Sequence, residues 1–432
     1  MSEAIGVVGL GYVGLPLALL ASEKGYNVIG IDNDEDKIKK VNSKKLPFYD
    51  KELQKQLKKY PLRATSNYSS LLVAKTIVIC VPTPVDADRM PDLNILRNAT
   101  IAVAKNMAKG QLIIIESTIN PGVCDEILIP LLESNSGLRV NYDFYLAHCP
   151  ERINPGDTKW SIRNIPRVLG GSSKKSLDLA HKFYSSILDA SLKNMASIKE
   201  AEAVKIVENS FRDINIAFVN ELAMSFDKLG IDVVNVIEGA ATKPFSFMAH
   251  FPGIGVGGHC IPVDPYYLIE YAKNNGFTHK FLSVAREINS GMPEYVVNNL
   301  KKLLIDKNIE PSVVKVAVLG LSYKPDVGDT RESPSLKVIS LLQQSNIAVI
   351  ATDPYIDKIE GVNTILAKRR VEIMNILHQV DVAIVATAHA QYKKLTVDDF
   401  RKAGTKIVID GRNCLDNESF RKCDLIYKGI GR

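Results

Sequence analysis

The residues with the clearest chemical potential lie in a glycine-rich segment at positions 251–264. Four glycines precede the thiol of Cys260, and the carboxylate of Asp264 follows four residues later. If Cys260 opens a helix, Asp264 lies one turn further on the same face, and the helix N-terminus favours a nucleophilic thiolate. A buried loop cysteine explains this segment equally well from its residues alone.

A second motif, Gly9-Leu10-Gly11-Tyr12-Val13-Gly14, has the pattern GxGxxG between a predicted strand and a predicted helix. Gly9 permits a tight turn, Gly11 lets the backbone approach a pyrophosphate, and Gly14 allows close helix–strand contact. Asp32 ends the next predicted strand, 18 positions after Gly14. A carboxylate there accepts ribose hydroxyls and repels a 2′-phosphate, so the motif predicts NAD rather than NADP.

Thr83 follows a third predicted strand, at residues 76–81, and is expected to line the same crevice. With Tyr12 and Val13 of the glycine turn it completes the predicted NAD contacts of this segment. A purely structural role for Thr83, and a glycine turn without a ligand, are the alternatives.

These motifs need a framework of parallel strands, and the first third of the chain predicts one. Short β-branched runs at 5–8, 28–31, 76–81, 112–116 and 144–147 alternate with helical stretches that include 15–24 and 34–42. Such alternation is typical of βαβ units, in which helices cover both faces of a parallel sheet.

The pattern changes near residue 198. The segment 198–229 contains no proline, and apolar residues recur at helical spacing, at Val204, Val207, Phe211, Ile214, Phe218 and Leu222. We therefore predict one long helix that bridges two domains and offers a dimer surface. Two shorter helices with a bend near Asp213 are the alternative.

A second α/β series follows, with strands at 315–320, 348–352, 382–386 and 406–409 and a helix at 335–344. The fold class predicted for the chain is therefore α/β, with two Rossmann-like doubly wound domains joined by a long central helix. The expected boundaries are 1–197, 198–300 and 301–432.

The composition limits the function further. The chain has 432 residues, 46% of them apolar and 24% charged, which is typical of a globular protein of two or three domains. The mild net charge of +6 suits nucleotides but does not predict nucleic-acid binding. The six cysteines lack zinc-binding spacing, so we expect no metal and a reducing, cytoplasmic compartment. No signal peptide or membrane span is predicted.

Over nearly its whole length the chain resembles the UDP-glucose/GDP-mannose dehydrogenase family. The segment that contains Cys260 looks like the catalytic loop of that family. Further matching motifs occur in the same order, at residues 116–122, 150–152, 202–209, 320–334, 353–354 and 410–413.

The resemblance implies an NAD-dependent, four-electron oxidation of the C6 hydroxyl of a nucleotide sugar to a carboxylate, with two NAD per sugar. The first oxidation gives an aldehyde, which the Cys260 thiolate captures as a thiohemiacetal. The second oxidation leaves a thioester, and water then releases the acid. The resemblance also implies a homodimer and no membrane partner.

The family motifs assign roles to further residues. Lys205 and Asn209, one turn apart on the long helix, are expected to face the oxyanion at C6. Asp264 is expected to activate water, with Thr118 holding a water nearby and Glu151 sharing the proton transfer. Outside the motif, a helical lysine is ordinarily a solvated charge, and an asparagine is ordinarily a surface residue.

By the same resemblance, residues 1–197 bind NAD, 198–300 form the central dimerisation domain, and 301–432 bind the UDP-sugar. Arg331 is assigned to the cofactor, although a surface salt bridge competes for Arg331 and Arg412. A structural role competes for Arg212 and His259. The predicted substrate contacts are Glu151, Arg152, Lys205, Asn209, Arg212, Gly257, His259, Tyr323, Lys324 and Arg412.

The sequence departs from the UDP-glucose branch of this family at several positions. No second acid follows Glu151 closely, Val263 replaces a lysine, and His259 replaces the more usual tyrosine. These changes resemble the branch that acts on UDP-N-acetylhexosamines, and residues 242–245 and 261–267 look most like UDP-N-acetylglucosamine 6-dehydrogenases. The mannosamine and galactosamine epimers and UDP-glucose are alternative substrates.

Two other classes of function compete with this prediction. A two-electron dehydrogenase of the hydroxy-acid type would form one NADH per substrate without Cys260. An NAD-binding scaffold or sensor would have no need for Cys260, Lys205 and Asp264 together.

Overall fold

A computed structural model describes residues 3–48, 50–84, 91–153, 159–258 and 260–432. The chain divides into two compact units. The first comprises Met1–Glu208 and Tyr266–Phe277, and the second comprises Asn209–Pro265 and Thr278–Arg432.

The first unit is built on a mainly parallel sheet. Its strands are β1 (Ala4–Val8), β2 (Asn27–Ile31), β3 (Arg63–Thr65), β4 (Thr76–Ile79), β5 (Leu112–Ile115), β6 (Tyr145–His148), β7 (Arg167–Gly171) and β8 (Leu192–Asn194). They lie in the order β3-β2-β1-β4-β5-β6-β7-β8, and β6 and β7 are antiparallel. The remaining neighbours are parallel, as the alternation of strands and helices predicted.

Helices cover this sheet on both faces. They are α1 (Gly14–Glu23), α2 (Glu35–Asn42), α3 (Lys51–Lys59), α4 (Asn94–Ala104), α5 (Ile129–Ser136) and α6 (Lys174–Ile187), with a π-helix at Cys124–Leu128 before α5. Alternate residues of a strand point to opposite faces, so Ile114 of β5 joins one apolar core while Ile113 and Ile115 join the other.

The long helix α7 (Ile198–Leu229) has the bounds that its apolar spacing predicted. It continues through Asp213, so the alternative of two shorter helices is wrong. The division between the two units falls within this helix, after Glu208.

The second unit contains another parallel sheet. The helices that follow α7 in the chain are α8 (Val233–Ala241), α9 (Asp264–Asn274), α10 (Lys280–Asp306), α11 (Pro334–Gln344), α12 (Arg370–Leu377), α13 (Val397–Ala403) and α14 (Asn417–Arg421). The strands are β9 (Lys315–Leu319), β10 (Ala348–Asp353), β11 (Thr364–Leu366), β12 (Val382–Val385), β13 (Ile407–Asp410) and β14 (Ile426–Gly429), in the order β11-β10-β9-β12-β13-β14.

The two sheets share the strand order 3-2-1-4-5-6 and the hydrogen bonds of their first turn. Leu10 N donates to Asp32 at 2.8 Å in the first unit, and Leu321 N donates to Asp353 at 2.7 Å in the second. The predicted fold class, two Rossmann-like domains with a long central helix, is confirmed. No helix among the described residues has the length and apolar character needed to cross a bilayer.

His148, at the end of β6, makes folding sensitive to acid. Its ring is fully buried, and burial lowers its pKa to about 3. The unfolded chain takes up this proton near pH 6.5, so the stabilisation is complete above that pH and is lost as the pH falls towards 3. Between pH 6.5 and 5 the loss is about 2 kcal/mol.

We therefore expect His148→Asn to flatten the acid limb of the free energy of unfolding, measured with urea at pH 7 and pH 5. Replacement of the exposed His378 by asparagine is the control and should leave this limb as in the parent protein. Equal losses in the parent protein and His148→Asn would contradict the assignment.

Candidate active site

The glycine turn after β1 leaves room for a ligand. Gly9 has a φ of 93°, and a Cβ added to Gly14 would lie 1.9 Å from the Gly9 carbonyl oxygen, so the entry into α1 requires glycine. A Cβ on Gly11 would meet no atom within 4 Å. The backbone at Gly11 therefore borders open space at the N-terminus of α1, where a pyrophosphate can approach.

Asp32 lies at the end of β2 and is held firmly. One carboxylate oxygen accepts from Leu10 N at 2.8 Å, and the other accepts from Asp34 N at 3.1 Å. The Lys37 ammonium donates to both oxygens, at 3.1 and 2.9 Å. Lys37 was not predicted as a site residue, although its place in the first turns of α2, five residues after Asp32, was a usable signal.

The segments that follow β4 and β5 are hydrogen-bonded to each other. The Thr83 hydroxyl donates to the Thr118 carbonyl at 2.6 Å, and the Thr83 carbonyl accepts from the Tyr267 hydroxyl at 2.7 Å. Tyr12 is 58% exposed and stacks on Phe48 with ring centroids 4.2 Å apart. Val13 lies in the same turn and precedes α1.

Thr118 and Glu151 follow β5 and β6, which are parallel neighbours, so both come from the carboxyl edge of the sheet. This edge is where ligands bind in open α/β sheets. Glu151 N donates to the Glu116 carbonyl at 3.4 Å, and its carboxylate accepts from Ile153 N.

Arg152, predicted to contact substrate, forms an ion pair with Glu208 of α7 and donates to the Pro166 carbonyl at 2.8 Å. These contacts anchor the segment after Glu151 to the helix.

Two residues of the first turns of α7 are buried although they carry ionisable groups. Lys205 is 9% exposed, unlike the ordinary solvated lysine of a helix. Glu202 accepts from Gly122 N at 2.6 Å and Cys124 N at 2.8 Å, so it anchors the segment that follows Thr118. Burial raises the pKa of Glu202 to about 7. Glu202 was not among the predicted site residues.

In the second unit, Cys260 precedes a helix rather than opening it. The helix α9 begins at Asp264, and the Cys260 carbonyl accepts from Val263 N at 3.0 Å and Asp264 N at 2.8 Å. Cys260 therefore does not open the helix, the first of the two arrangements that the sequence left open, because a hydrogen-bonded turn intervenes. This turn nevertheless keeps Asp264 close to the thiol-bearing residue.

Asp264 is nearly fully buried and accepts from the Asn209 side-chain amide at 2.5 Å. Asn209 lies on α7, so the helix contacts the residue that begins α9. Asn209 is half-buried, and its amide is bonded to a buried carboxylate, unlike that of an ordinary surface asparagine.

The glycines before Cys260 pack tightly against the loop between β9 and α11. Gly258 has a φ of 90°, and a Cβ there would lie 2.7 Å from the Tyr323 ring. Its backbone N–H donates to the Arg331 carbonyl at 3.0 Å. Gly257 likewise has no room for a Cβ, which would lie 2.7 Å from the Tyr323 Cβ. The predicted substrate residues Gly257, Tyr323 and Lys324 thus belong to neighbouring segments of one unit.

The two arginines differ in their surroundings. Arg331 is half exposed, and hydrogen bonds from its guanidinium to Asp329, the shortest 2.5 Å, raise its pKa. The predicted salt-bridge alternative therefore describes its contacts. Arg412 is half buried, donates to the Ala386 carbonyl at 2.8 Å and approaches Gly253, and desolvation lowers its pKa to about 10.

Arg212 projects from α7 as an exposed residue, and His259 lies outside the described residues. Each unit thus assembles its own part of the predicted site. The first contains the glycine turn, Asp32, Thr83, Thr118, Glu151, Arg152 and Lys205, and the second contains Asn209, Gly257, Cys260, Asp264, Tyr323, Lys324, Arg331 and Arg412.

Comparison with known protein families gives three consecutive matches. The models of the UDP-glucose/GDP-mannose dehydrogenase family match with the NAD binding domain at residues 3–188, the central domain at 199–291 and the UDP binding domain at 317–417.

Individual proteins match over nearly the whole chain. A UDP-N-acetyl-D-mannosamine dehydrogenase of Pyrococcus horikoshii is 39% identical over 99% of both chains. A UDP-N-acetyl-D-glucosamine 6-dehydrogenase of Pseudomonas aeruginosa is 35% identical over 96% of this chain and 97% of its own. The solved structure of a Pyrococcus horikoshii UDP-D-ManNAc dehydrogenase has a TM-score of 0.91 and 38% identity, covering 100% of this chain and 99% of its own.

Proposed function

The chain belongs to the UDP-glucose/GDP-mannose dehydrogenase family, and we propose that it oxidises the C6 hydroxyl of a UDP-N-acetylhexosamine to a carboxylate. It is an NAD-dependent oxidoreductase that acts on a UDP-sugar. This membership argues against the hydroxy-acid dehydrogenase and the non-enzymatic scaffold that the sequence left open.

One observation carries the proposed chemistry. The 2.5 Å hydrogen bond between Asn209 and Asp264 fixes a buried carboxylate one hydrogen-bonded turn from Cys260. A thiol beside a carboxylate suits a covalent step followed by hydrolysis, because the thiol captures a carbonyl carbon and the carboxylate then accepts a proton from water.

NAD fits the first unit. In our proposal Gly9, Gly11, Tyr12, Val13 and Gly14 lie against its phosphates and adenosine, Asp32 bonds its ribose, and Thr83, Thr118 and Arg331 complete its contacts. The open space beside Gly11 and the firmly held Asp32 support this assignment. Bound NAD supplies the acceptor for the hydride that leaves C6 in each oxidation.

Cys260 is the proposed nucleophile. Its thiolate adds to the C6 aldehyde and forms a carbon–sulfur bond, which becomes a thioester after the second oxidation. Lys205 and Asn209 donate hydrogen bonds to the C6 oxygen as negative charge develops on it. Water activated by Asp264, with Thr118 and Glu151, then breaks the carbon–sulfur bond and returns the thiol.

The second unit is proposed to bind the UDP-sugar. Gly257, Tyr323, Lys324 and Arg412 are its proposed contacts there, with His259 and Arg212 as further candidates. Within the described residues no carboxylate forms an ion pair with the Arg412 guanidinium, which can therefore bind an anionic phosphate without first breaking one. Glu151, Arg152, Lys205 and Asn209 complete the proposed substrate contacts.

The sugar epimer is the finer part of the proposal. The sequence motifs favoured UDP-N-acetylglucosamine, whereas of the two relatives compared above the more similar one acts on the mannosamine epimer, by its name. These epimers differ only at C2, so a few hydrogen bonds to the sugar decide between them. We expect UDP-N-acetylmannosamine to be oxidised fastest and the glucosamine epimer to be the main competitor.

The proposal is tested by giving the purified protein NAD and, in parallel, UDP-N-acetylmannosamine, UDP-N-acetylglucosamine, UDP-N-acetylgalactosamine and UDP-glucose. We expect two NADH per sugar consumed and an acid product identified by mass spectrometry. One NADH per sugar would contradict the four-electron reaction, and preferential oxidation of UDP-glucose would contradict the N-acetylhexosamine assignment.

The assembly we propose is a homodimer that uses α7. Phe211 and Phe218, seven residues apart on this helix, are 48% and 52% exposed. Exposed apolar patches on soluble proteins commonly mark interfaces. Light scattering after size-exclusion chromatography should give twice the chain mass, and Phe218→Glu should shift the protein towards monomer. A monomeric parent protein would contradict this proposal.

We also propose the division into residues 1–197, 198–300 and 301–432, which the spans of the three family models support.

A cytoplasmic location is the last part of the proposed function. All six cysteines are present as thiols in the structure, which suits a reducing compartment.

A further inference from the structure

The buried face of α7 carries a seam of polar residues where a packed helix is ordinarily apolar. Asn209, Asp213 and Asn220 follow one another at spacings of four and seven residues. Asp213 is 1% exposed and Asn220 is fully buried. Buried polar side chains are costly unless every one is bonded, so this seam needs a reason beyond packing.

At the centre of the seam is a buried ion pair. The Arg286 guanidinium, on α10, donates to the Asp213 carboxylate at 2.5 Å, with side-chain exposures of 7% and 1%. The Asn289 amide also donates to this carboxylate and to the Asp213 carbonyl, both at 2.9 Å. A buried pair of this kind is weak evidence for stability, because desolvation offsets much of the attraction.

From the ion pair a relay of amides leads to the glycine loop. The Asn289 side-chain oxygen accepts from the Asn220 amide at 2.9 Å. The Asn220 oxygen then accepts from the Gly253 backbone N–H at 3.0 Å. Gly253 is the first glycine of the segment that leads to Cys260.

The direction of this relay is set by Asp213. An ionised carboxylate can only accept hydrogen bonds, so Asn289 must turn its NH₂ group towards Asp213 and its oxygen towards Asn220. Asn220 must then turn its own oxygen towards Gly253. A reversed amide at either position would oppose two donors or two acceptors, so the relay has one orientation.

The loop is therefore held at both ends. Asn220 binds Gly253 at its start, and the Arg331 carbonyl accepts from Gly258 N at 3.0 Å near its end. Asn209, on the same helix as Asn220, bonds Asp264 just beyond Cys260. Gly253, before the thiol, and Asp264, after it, are thus both hydrogen-bonded to side chains of α7.

We propose that Asp213, Asn289 and Asn220 are positioning residues, which hold the Cys260 loop in register through the Gly253 N–H. The inference rests on the proposed role of Cys260 and adds how the chain positions the Cys260 thiol. Reaction rates are sensitive to such placement, because a displacement of about 1 Å can cost about a hundredfold in rate.

The test uses Asn220→Leu, which removes the amide at similar size, and Asp213→Asn, which keeps the shape but removes the negative charge that accepts from Arg286 and Asn289. Two quantities are measured on the full chain, namely kcat and KM with NAD and a UDP-N-acetylhexosamine, and the rate constant for alkylation of Cys260 by iodoacetamide. Alkylation is followed by mass spectrometry of the peptide that contains Cys260, and it needs no substrate.

We expect Asn220→Leu to lower kcat by about 30- to 100-fold and to change the alkylation rate constant at least about fivefold, with KM for NAD within about threefold of the parent value. Asp213→Asn should change both quantities in the same direction by a smaller factor. It provides the decisive comparison should the leucine variant fail to fold.

The matched control is Gln111→Leu in the first unit. Gln111 is 2% exposed and donates to the Leu71 and Ala74 carbonyls at 2.8 and 2.7 Å, so this variant loses comparable buried hydrogen bonds away from the loop. Its kcat and alkylation rate constant should stay within about threefold of the parent values.

Parent-like kcat and alkylation in Asn220→Leu and Asp213→Asn would overturn the inference. Equal changes in Gln111→Leu would do the same, because they would show a general response to lost buried hydrogen bonds. Altered alkylation in a protein whose parent form oxidises no UDP-sugar would leave the positioning role standing and overturn the proposed function instead.

Discussion

Cys260→Ser is expected to lower the rate of acid formation from a UDP-N-acetylhexosamine by about a thousandfold or more. A serine hydroxyl is far less nucleophilic than a thiolate at neutral pH, so the aldehyde is no longer captured efficiently. A thousandfold loss corresponds to about 4 kcal/mol of transition-state stabilisation. The measurement is NADH formation over time, with the product identified by mass spectrometry.

Binding of NAD should survive this change, because the glycine turn and Asp32 belong to the other unit. Quenching of protein fluorescence by NADH should therefore give a Kd within about twofold of the parent value. Cys423→Ser is the control, since this half-buried cysteine lies far along the chain and contacts the Phe420 carbonyl. A Cys260→Ser variant that still forms two NADH per sugar at the parent rate would contradict the proposed covalent step.

The framework of this molecule was predictable because its signals are local. The bounds of α7 follow from apolar spacing and the absence of proline, and both features act within a few turns of the chain. The turn from β1 into α1 was equally predictable. A Cβ added to Gly14 would lie 1.9 Å from the Gly9 carbonyl oxygen, so only glycine fits there.

The helix start near Cys260 was predicted less well. The chain there has Ile261, Pro262 and Val263 before Asp264, and the structure forms a hydrogen-bonded turn over these residues before α9 begins. Spacing alone placed Asp264 one turn after Cys260 but could not tell this turn from the helix itself, since both use a hydrogen bond from residue 264 to residue 260.

Partners that lie far apart in sequence were missed for a different reason. Asp213 and Arg286 are 73 residues apart, and Asn220 and Asn289 are 69 apart, so no local pattern pairs them. The apolar spacing of α7 predicted no buried polar residue, and for Asp213 the sequence indicated only a possible bend. The polar seam of α7 can be recognised as buried only from the structure, in which its partners Arg286 and Asn289 lie on α10.

Lys205, which the sequence motif assigns to the active site, is unusually buried for a lysine on a helix. A lysine on a helix ordinarily extends into water, and Lys199, six residues earlier, does so while it pairs with Glu126 at 3.2 Å. Lys205 is 9% exposed, and among the described residues no ion-pair partner is found for its ammonium. A lysine whose side chain is mostly buried and whose ammonium is not engaged by a carboxylate suits an anion that forms during the reaction.

We therefore expect Lys205→Met to lower kcat by about a hundredfold to a thousandfold, the usual cost of removing one donor to an oxyanion. KM for the UDP-sugar should change by less than about threefold, because the interaction strengthens only as charge builds on the C6 oxygen. Steady-state kinetics over a range of UDP-sugar concentrations, at saturating NAD, separates the two constants.

Lys199→Met provides the matched control, since it removes the same charge from an exposed position on the same helix and should leave kcat within about twofold. Lys205→Arg keeps the charge but spreads it over a planar group of different reach, so it should recover only part of the loss. If Lys205→Met instead raised KM and left kcat at the parent value, the ammonium would be binding the ground-state sugar nucleotide, because uniform binding of substrate and transition state alters KM alone.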